Sequence, residues 1–310
     1  MSASPWSEFV REFLEGYFEQ YPTFAASVGR HDYDGRLPDW SRQAFAEKVV
    51  WLREQRARAA AFAGLEGRPA LEREHVLAQL DADLFWIAEA GWQWRNPLFY
   101  TAPLDPNLYV TREYAPLERR LRAYVDYARG VPRAAEQIRA NLRTPMPPTY
   151  AQVGRLTLGG LADYYANDVP PIFAAVGDPE LQMELRAASK AAAAAMRDLG
   201  AWFARQEEAV AAEGDGAGGG FALGSDLFQR MLHDTERVDV PLADLAAAGR
   251  RDLERNLAAL RAACAAYAPG RPLEECVAAV QAEKPDGGPI EGARRQLAGL
   301  RRFVEEHALV

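Results

Sequence analysis

Apolar residues recur at steps of three and four through most of the chain, and this spacing constrains the fold more than any other feature. Such spacing places apolar side chains on one face of a helix. No segment alternates polar and apolar residues for long enough to form a sheet. The sequence therefore predicts an all-α fold, an irregular array of long amphipathic helices. The first helix has an aromatic face that we expect in the core: Trp6, Phe9, Val10, Phe13, Leu14, Tyr17 and Phe18.

Composition excludes several classes of protein. The 310 residues carry a net charge of −8, which argues against nonspecific binding to nucleic acid or to an anionic membrane, because both need a basic surface. No apolar run approaches the roughly 20 residues that span a bilayer, and the N-terminus has no signal-peptide pattern. The two cysteines, Cys264 and Cys276, belong to no C-x-x-C pair. We predict a soluble protein of a reducing compartment, the cytoplasm.

Glycine and proline positions give the expected organisation. The sequence predicts one helical domain or half-domain over residues 1–310, with a possible subdivision at the glycine-rich stretch 214–220. A phosphate-binding loop would follow a strand, whereas a helix precedes this stretch, so we interpret it as a flexible linker. Gly130 and Pro132 are expected to end one helix and to separate it from the next, Val131 to Leu142.

One short loop concentrates polar groups. Its five polar side chains occupy six positions, and so many hydrogen-bonding groups need side-chain partners if the loop packs against the protein. One interpretation is a capping loop with Asp-based turns. The other is the wall of a substrate cleft. The residues concerned are His31, Asp32, Tyr33, Asp34 and Arg36.

An aromatic, proline-rich stretch over residues 91–106 is a second candidate. Trp92, Trp94, Phe99 and Tyr100 stand among several prolines. These aromatic side chains either fill the space between helices or line a binding groove. On the second interpretation Tyr100, together with Tyr109, belongs to the same cleft as the polar loop.

The sequence predicts no catalytic or metal-binding residues. None of the four histidines pairs with another at a spacing of four, so the chain has no H-E-x-x-H helix. His31, Asp32 and Asp34 supply metal-ligating atoms, and His233 is a further candidate ligand, but the loop departs from the calcium-loop template. No G-x-S-x-G elbow occurs.

The loop and its flanks also carry a resemblance to a known family. Residues 21–39, Tyr-Pro-Thr-Phe-Ala-Ala-Ser-Val-Gly-Arg-His-Asp-Tyr-Asp-Gly-Arg-Leu-Pro-Asp, resemble the N-terminal signature of the bacterial domain-of-unknown-function 885 family. Residues 168–170, Asp-Val-Pro, and residues 221–228, Phe-Ala-Leu-Gly-Ser-Asp-Leu-Phe, match the family in the same order. So do residues 302–307, Arg-Phe-Val-Glu-Glu-His, so the resemblance extends over the whole chain.

The resemblance implies a function for the family and a role for this chain. Its members resemble helical zinc metallopeptidases of the gluzincin type, which carry an H-E-x-x-P-G-H-H motif in a C-terminal half. This chain has no such motif. It is therefore expected to be the N-terminal, cleft-forming half, inactive alone, with zinc only in full-length relatives. The implied partners are a peptide-like small substrate and either the C-terminal half or a second copy of this chain.

Two other functions remain open from the sequence. A noncatalytic helical scaffold or binding protein would keep the helical shell without the metal centre. An independent hydrolase would use the polar loop as its own active site.

Overall fold

The prediction of an all-α fold is confirmed. The computed structural model describes residues 4–213 and 220–309, together with the side chains outside 211–213, and this part of the chain contains helices and no strand. It divides into two compact units, Met1–Asp239 and Val240–Val310. The sequence predicts a possible subdivision at the stretch 214–220, of which residues 214–219 lie outside the described part. No helix in that part is long and apolar enough to cross a membrane.

The first unit contains the helices α1 to α11. Short 3₁₀ turns join several of them, and the π turns Phe85–Glu89 and Tyr164–Asp168 extend α4 and α8. The bounds in chain order are α1 Pro5–Gln20, α2 Pro22–Ser27, α3 Arg42–Ala60, α4 Gly67–Leu84, α5 Asn107–Thr111, α6 Leu117–Asn141, α7 Pro148–Thr157, α8 Leu161–Asp163, α9 Val169–Ile172, α10 Pro179–Glu213 and α11 Ser225–Glu236.

The core of this unit is centred on the long helices α6 and α10, which pack against each other. Apolar residues recur at helical spacing along α10, and all of them are buried: Leu181, Leu185, Ala188, Ala192, Met196, Leu199 and Phe203. The aromatic face of α1 joins the same core through Trp6, Phe9 and Phe13, as predicted. The prediction was wrong for Leu14, which is exposed because it lies at the edge of this face. Ser4 caps α1 by accepting a hydrogen bond from the Ser7 amide at 3.2 Å.

The prediction of a helix break at Gly130 and Pro132 was wrong, because α6 runs unbroken from Leu117 to Asn141. A proline inside a helix removes one backbone hydrogen bond, at a cost of about 3 kcal/mol. The apolar face of α6 continues across the proline, and Ala128, Val131 and Ala134 are all buried in the core. Packing along this face outweighs the local cost.

A buried polar cluster joins α1 to α4. Lys48 of α3 is buried, and its Nζ donates to the Gln20 carbonyl at 3.0 Å. The same atom lies 4.0 Å from the centre of the Tyr21 ring. Asp83 of α4 accepts hydrogen bonds from the Tyr21 hydroxyl and the Gln79 amide, each at 3.1 Å. Burial lowers the pKa of Lys48 to about 8 and raises the pKa of Asp83 above its ordinary value.

We expect this cluster to give the protein a stability that rises at alkaline pH. The folded chain releases the Lys48 proton near pH 8, whereas the unfolded chain keeps it up to about pH 10.4. The unfolded state therefore binds more protons between these values, and the free energy of unfolding rises with pH. Relative to Lys48→Met, the wild-type protein should gain about 2 kcal/mol between about pH 8 and pH 10.

Urea unfolding at several pH values measures this gain. Tyr17 and Tyr21 also have raised pKa values because they are buried, but they occur in both proteins, so their effect largely cancels in the difference. The exposed Lys284 provides the matched control, and Lys284→Met should change with pH as the wild type does. A difference between the wild type and Lys48→Met that stays constant over this range would contradict the prediction.

The second unit contains α12 Leu242–Tyr267, α13 Leu273–Ala282 and α14 Gly288–Glu306. Its described residues include only three that are buried: Cys264, Cys276 and Gly292. The two cysteines form a disulfide that joins α12 to α13. The unit therefore depends on a covalent link where a larger domain would use an apolar core. Disulfides are typical of oxidising compartments, and cytoplasmic localisation stays a prediction.

Apolar side chains remain exposed along one face of each long helix of the second unit. On α12 they are Leu245, Leu253, Leu260 and Tyr267, and on α14 they are Ile290, Leu297, Leu300 and Phe303. On each helix the spacing is helical, so the side chains form a stripe. Exposed stripes of this kind are typical of surfaces that pack against another helix.

Thiol labelling tests the disulfide directly. In denaturant without reductant, an alkylating reagent should add no label to the wild-type chain, because both sulfur atoms are in the bond. After reduction it should add one label to each of Cys264 and Cys276. The control Cys264→Ser should take up a single label with or without reductant. Two labels on the unreduced wild-type chain would show that the thiols are free.

Candidate functional site

The polar loop lies between α2 and α3 and packs tightly on α6. Gly35 has a φ of +78°, a conformation that favours glycine. A Cβ atom at this position would lie 2.8 Å from the Cβ of Asp126 and 3.1 Å from the carbonyl oxygen of Ala123. Farther along, Leu37 packs against Gly130, where a Cβ would lie 3.2 Å from its Cδ1. The path of the loop is therefore fixed by glycines on both surfaces.

His31, Asp34 and Tyr114 form a cluster on one side of the loop. The Nδ1 atom of His31 lies 3.2 Å from one oxygen of Asp34, and the Tyr114 hydroxyl donates to the other oxygen at 2.9 Å. The His31 and Tyr114 rings stack, with centroids 3.8 Å apart and planes 3° apart. Burial and the Asp34 carboxylate both raise the pKa of Tyr114. The carboxylate orients the imidazole, and Nε2 is the remaining polar atom of that ring.

The other side of the loop pairs with α1. Arg30 donates to both oxygens of Glu15, at 2.8 and 3.0 Å, and to both oxygens of Asp32, at 3.1 and 2.9 Å. These hydrogen bonds lower the pKa values of the two carboxyl groups. The Asp32 side chain is 57% exposed, so this ion pair lies at the surface, where such pairs contribute little to stability.

Tyr33 and Arg36 complete the α1 side. The Tyr33 ring is buried, and the guanidinium carbon of Arg36 lies 4.9 Å from its centre. Arg36 also donates to Glu19 of α1 at 2.5 and 3.3 Å. Tyr33 therefore anchors the loop, while Asp32 and Arg36 form its surface.

A cleft of about 270 Å³ lies beside the loop, between α2, α5 and the turn that precedes α5. Arg112 spans its edge and donates to the carbonyl oxygen of Ser27 at 2.8 Å. Asp105 accepts hydrogen bonds from the amide and side chain of Asn107 at 2.9 and 3.0 Å. Both charged side chains are exposed. The cleft therefore presents one cation and one anion to a ligand.

Tyr109 connects the cleft to the loop, whereas Tyr100 does not. The Tyr109 side chain lines the cleft, and its hydroxyl accepts a hydrogen bond from the Gly35 amide at 3.0 Å. Burial raises the pKa of Tyr109 to about 12, so the hydroxyl stays protonated at neutral pH. Tyr100 is fully buried in the core and donates to the Gln93 carbonyl at 2.7 Å. Of the two tyrosines, the structure brings Tyr109 alone to the cleft.

Reasoning from sequence missed three residues of this region: Tyr114, Asp105 and Arg112. Tyr114 follows Asp34 by 80 residues, and a single sequence contains no signal for a contact across that distance. Asp105 and Arg112 flank α5, a helix of five residues that is too short to show a periodic pattern.

The loop does not gather its metal-ligating atoms at one point. His31 and Asp34 contact each other, while Asp32 contacts Arg30 on the opposite side. His233 pairs instead with Asp239 at 2.5 Å. Among the described residues, no three His, Cys, Asp or Glu side chains form a group that could hold a metal ion.

Substitution of two glycines measures how tightly the loop is docked. Gly29 and Gly35 both have positive φ, so alanine at either position costs about 1 to 3 kcal/mol in backbone strain. Gly29 faces open space, whereas Gly35 faces α6. We expect Gly35→Ala to destabilise the protein by about 1 to 3 kcal/mol more than Gly29→Ala, because it overpacks the contact. Urea unfolding measures both values, and equal losses would mean that the loop is not held against α6.

Comparisons with known proteins identify the family of the chain. A solved structure from Shewanella oneidensis, described as "a putative lipoprotein of unknown function", superposes with a TM-score of 0.76 at 17% sequence identity. The match covers 99% of this chain and 58% of that one, and at this identity it shows the fold alone. No curated protein matches the chain. The sequence model of the bacterial proteins of unknown function called DUF885 matches residues 22–309, so the protein belongs to the DUF885 family.

Proposed function

We propose that this chain is the helical, cleft-forming part of a DUF885-type zinc metallopeptidase-like hydrolase, and that its cleft binds the ends of a peptide-like small substrate. The observation that carries the proposal is the cleft beside the polar loop, which presents Arg112 and Asp105 together. A guanidinium group binds carboxylates through paired hydrogen bonds, and a carboxylate binds an ammonium group. A short peptide carries both groups at neutral pH.

The size and surroundings of the cleft support a small ligand. Its volume of about 270 Å³ is near the lower end of the range for small-molecule sites. A guanidinium carries five N–H donors, and the Ser27 carbonyl accepts from only one nitrogen of Arg112. The other N–H groups can donate to a ligand. The hydrogen bond between Tyr109 and Gly35 connects the polar loop to one residue of the cleft wall, although residues 31–36 do not line the cleft themselves.

The proposal assigns the reacting groups to residues outside this chain. The described residues hold no group of metal ligands, and the sequence has no H-E-x-x-H motif. The described residues therefore do not fit a zinc site, and we derive no step through zinc. The structure from Shewanella oneidensis is longer than this chain, which spans 58% of it. The exposed apolar faces of α12 and α14 support packing against further helices.

A noncatalytic binding protein is the second candidate. The same cleft favours this candidate. The polar groups of the loop also pair with one another, and no nucleophile and base are in contact among them. This candidate predicts the same binding without hydrolysis in any longer form of the protein.

Calorimetric titration with three dipeptides tests the proposed cleft. The probes are Ala-Ala, its N-acetyl form without the ammonium group, and its amide form without the carboxylate. We expect Arg112→Gln to weaken Ala-Ala binding about tenfold or more, since charge-assisted hydrogen bonds of about 1.5 to 3 kcal/mol are lost. Asp105→Asn should weaken Ala-Ala and the amide form, and it should have no effect on the N-acetyl form.

The matched control is Arg119→Gln, which changes an exposed arginine of α6 that does not line the cleft. It should bind Ala-Ala as the wild type does. If no dipeptide binds, or if Arg112→Gln binds Ala-Ala like the wild type, the proposed function is wrong. Incubation of the bound dipeptide with this chain should give no free alanine, and hydrolysis here would instead favour an independent active site.

A further inference from the structure

Positively charged side chains line a groove along α10. The groove has a volume of about 310 Å³ and lies between α10 and the segment of α8 and α9, where Ala166 and Pro170 form its apolar wall. Its charged side chains are Arg186, Lys190 and Arg197, and no carboxylate lines it. The whole chain carries a net charge of −8, so a purely basic groove is not a reflection of composition.

Helix geometry places the three cations on one face. At 100° per residue, positions 186, 190 and 197 point within about 40° of each other. They span about 16 Å along the axis, at 1.5 Å per residue. All three side chains are exposed. Like charges this close destabilise a helix surface unless counter-ions or a ligand neutralise them.

Among the described residues, the three cations have no acidic partner. Elsewhere on α10, Glu184 pairs with Arg129 at 3.2 Å and Glu207 pairs with Arg155 at 2.9 Å. In the part of the chain that the structure describes, neither Arg186, Lys190 nor Arg197 lies within ion-pair distance of a carboxylate.

The floor of the groove includes a polar side chain whose position is fixed. Ser189 lines it between the first two cations, and its side chain is buried, with 2% of the residue exposed. The Ser189 hydroxyl lies 3.0 Å from the Tyr124 hydroxyl of α6, which fixes its position. The groove therefore lies on the packed interface of α6 and α10. Its floor is already ordered before a ligand binds.

We infer that this groove binds a small polyanion that carries two or more phosphoryl groups. Arg186 and Lys190 stand one helical turn apart, so they can neutralise one phosphoryl group from two sides. Arg197 lies two turns farther along and can take a second anionic group. A single carboxylate or phosphate would leave part of the charge unpaired. The site is distinct from the cleft at Arg112 and Asp105, and it does not depend on the proposed peptide binding.

Titration calorimetry with inorganic triphosphate, pyrophosphate and phosphate tests the inference. We expect affinity to fall in that order, because each shorter anion carries less negative charge and reaches less far from Arg186 and Lys190 toward Arg197. Arg186→Gln and Arg197→Gln should each weaken triphosphate binding about tenfold. The control Arg205→Gln changes an exposed arginine of the same helix that does not line the groove, and it should bind as the wild type does.

Two further measurements separate the sources of the anion. Binding should weaken between about 0.1 M and about 1 M salt, where the screening length falls from about 10 Å to about 3 Å. Co-sedimentation with vesicles of phosphatidylglycerol, against phosphatidylcholine alone, detects recognition of a lipid headgroup. The inference predicts triphosphate binding whether or not the vesicles bind. It is overturned if triphosphate does not bind, or if both groove variants bind it as tightly as Arg205→Gln.

Discussion

The packing of α6 against α10 is the contact on which the rest of the first unit depends. Its buried side chains form the centre of the core, and Tyr124 and Ser189 add a hydrogen bond across it. The polar loop packs on the outer surface of α6, and the basic groove lies on the outer surface of α10. The cleft at Arg112 and Asp105 reaches α6 through Tyr127. Both surfaces for which we propose ligands therefore border this pair of helices, and a rigid scaffold suits sites that must be preorganised.

Periodicity in the sequence was enough to predict the class of fold and much of the core. The stripe along α10 and the tryptophan and phenylalanine side chains of the predicted face of α1 are buried, because burial of an apolar face is what stabilises such helices. The prediction of a helix break at Pro132 was wrong for the same reason. Proline sets a local cost, but the sequence does not reveal how much packing α6 gains by continuing past it.

The candidate site was predictable in part. The density of polar groups in residues 31–36 indicated that partners must exist, but the partners come from α1, from α5 and from the segment before α6, and no local pattern encodes these distant contacts. Tyr100 and Tyr109 look alike in sequence, yet one is enclosed in the core and the other reaches the cleft. The disulfide was missed because its cysteines follow no recognised spacing.

The hydrogen bond between Gly35 and Tyr109 has an evolutionary consequence. Its donor is a main-chain amide, and every amino acid except proline supplies that donor. Chemistry therefore places almost no restriction on position 35, whereas space and backbone conformation restrict it severely. Related chains should reject any added carbon atom at this position. Selection at position 35 therefore acts on the shape of the residue.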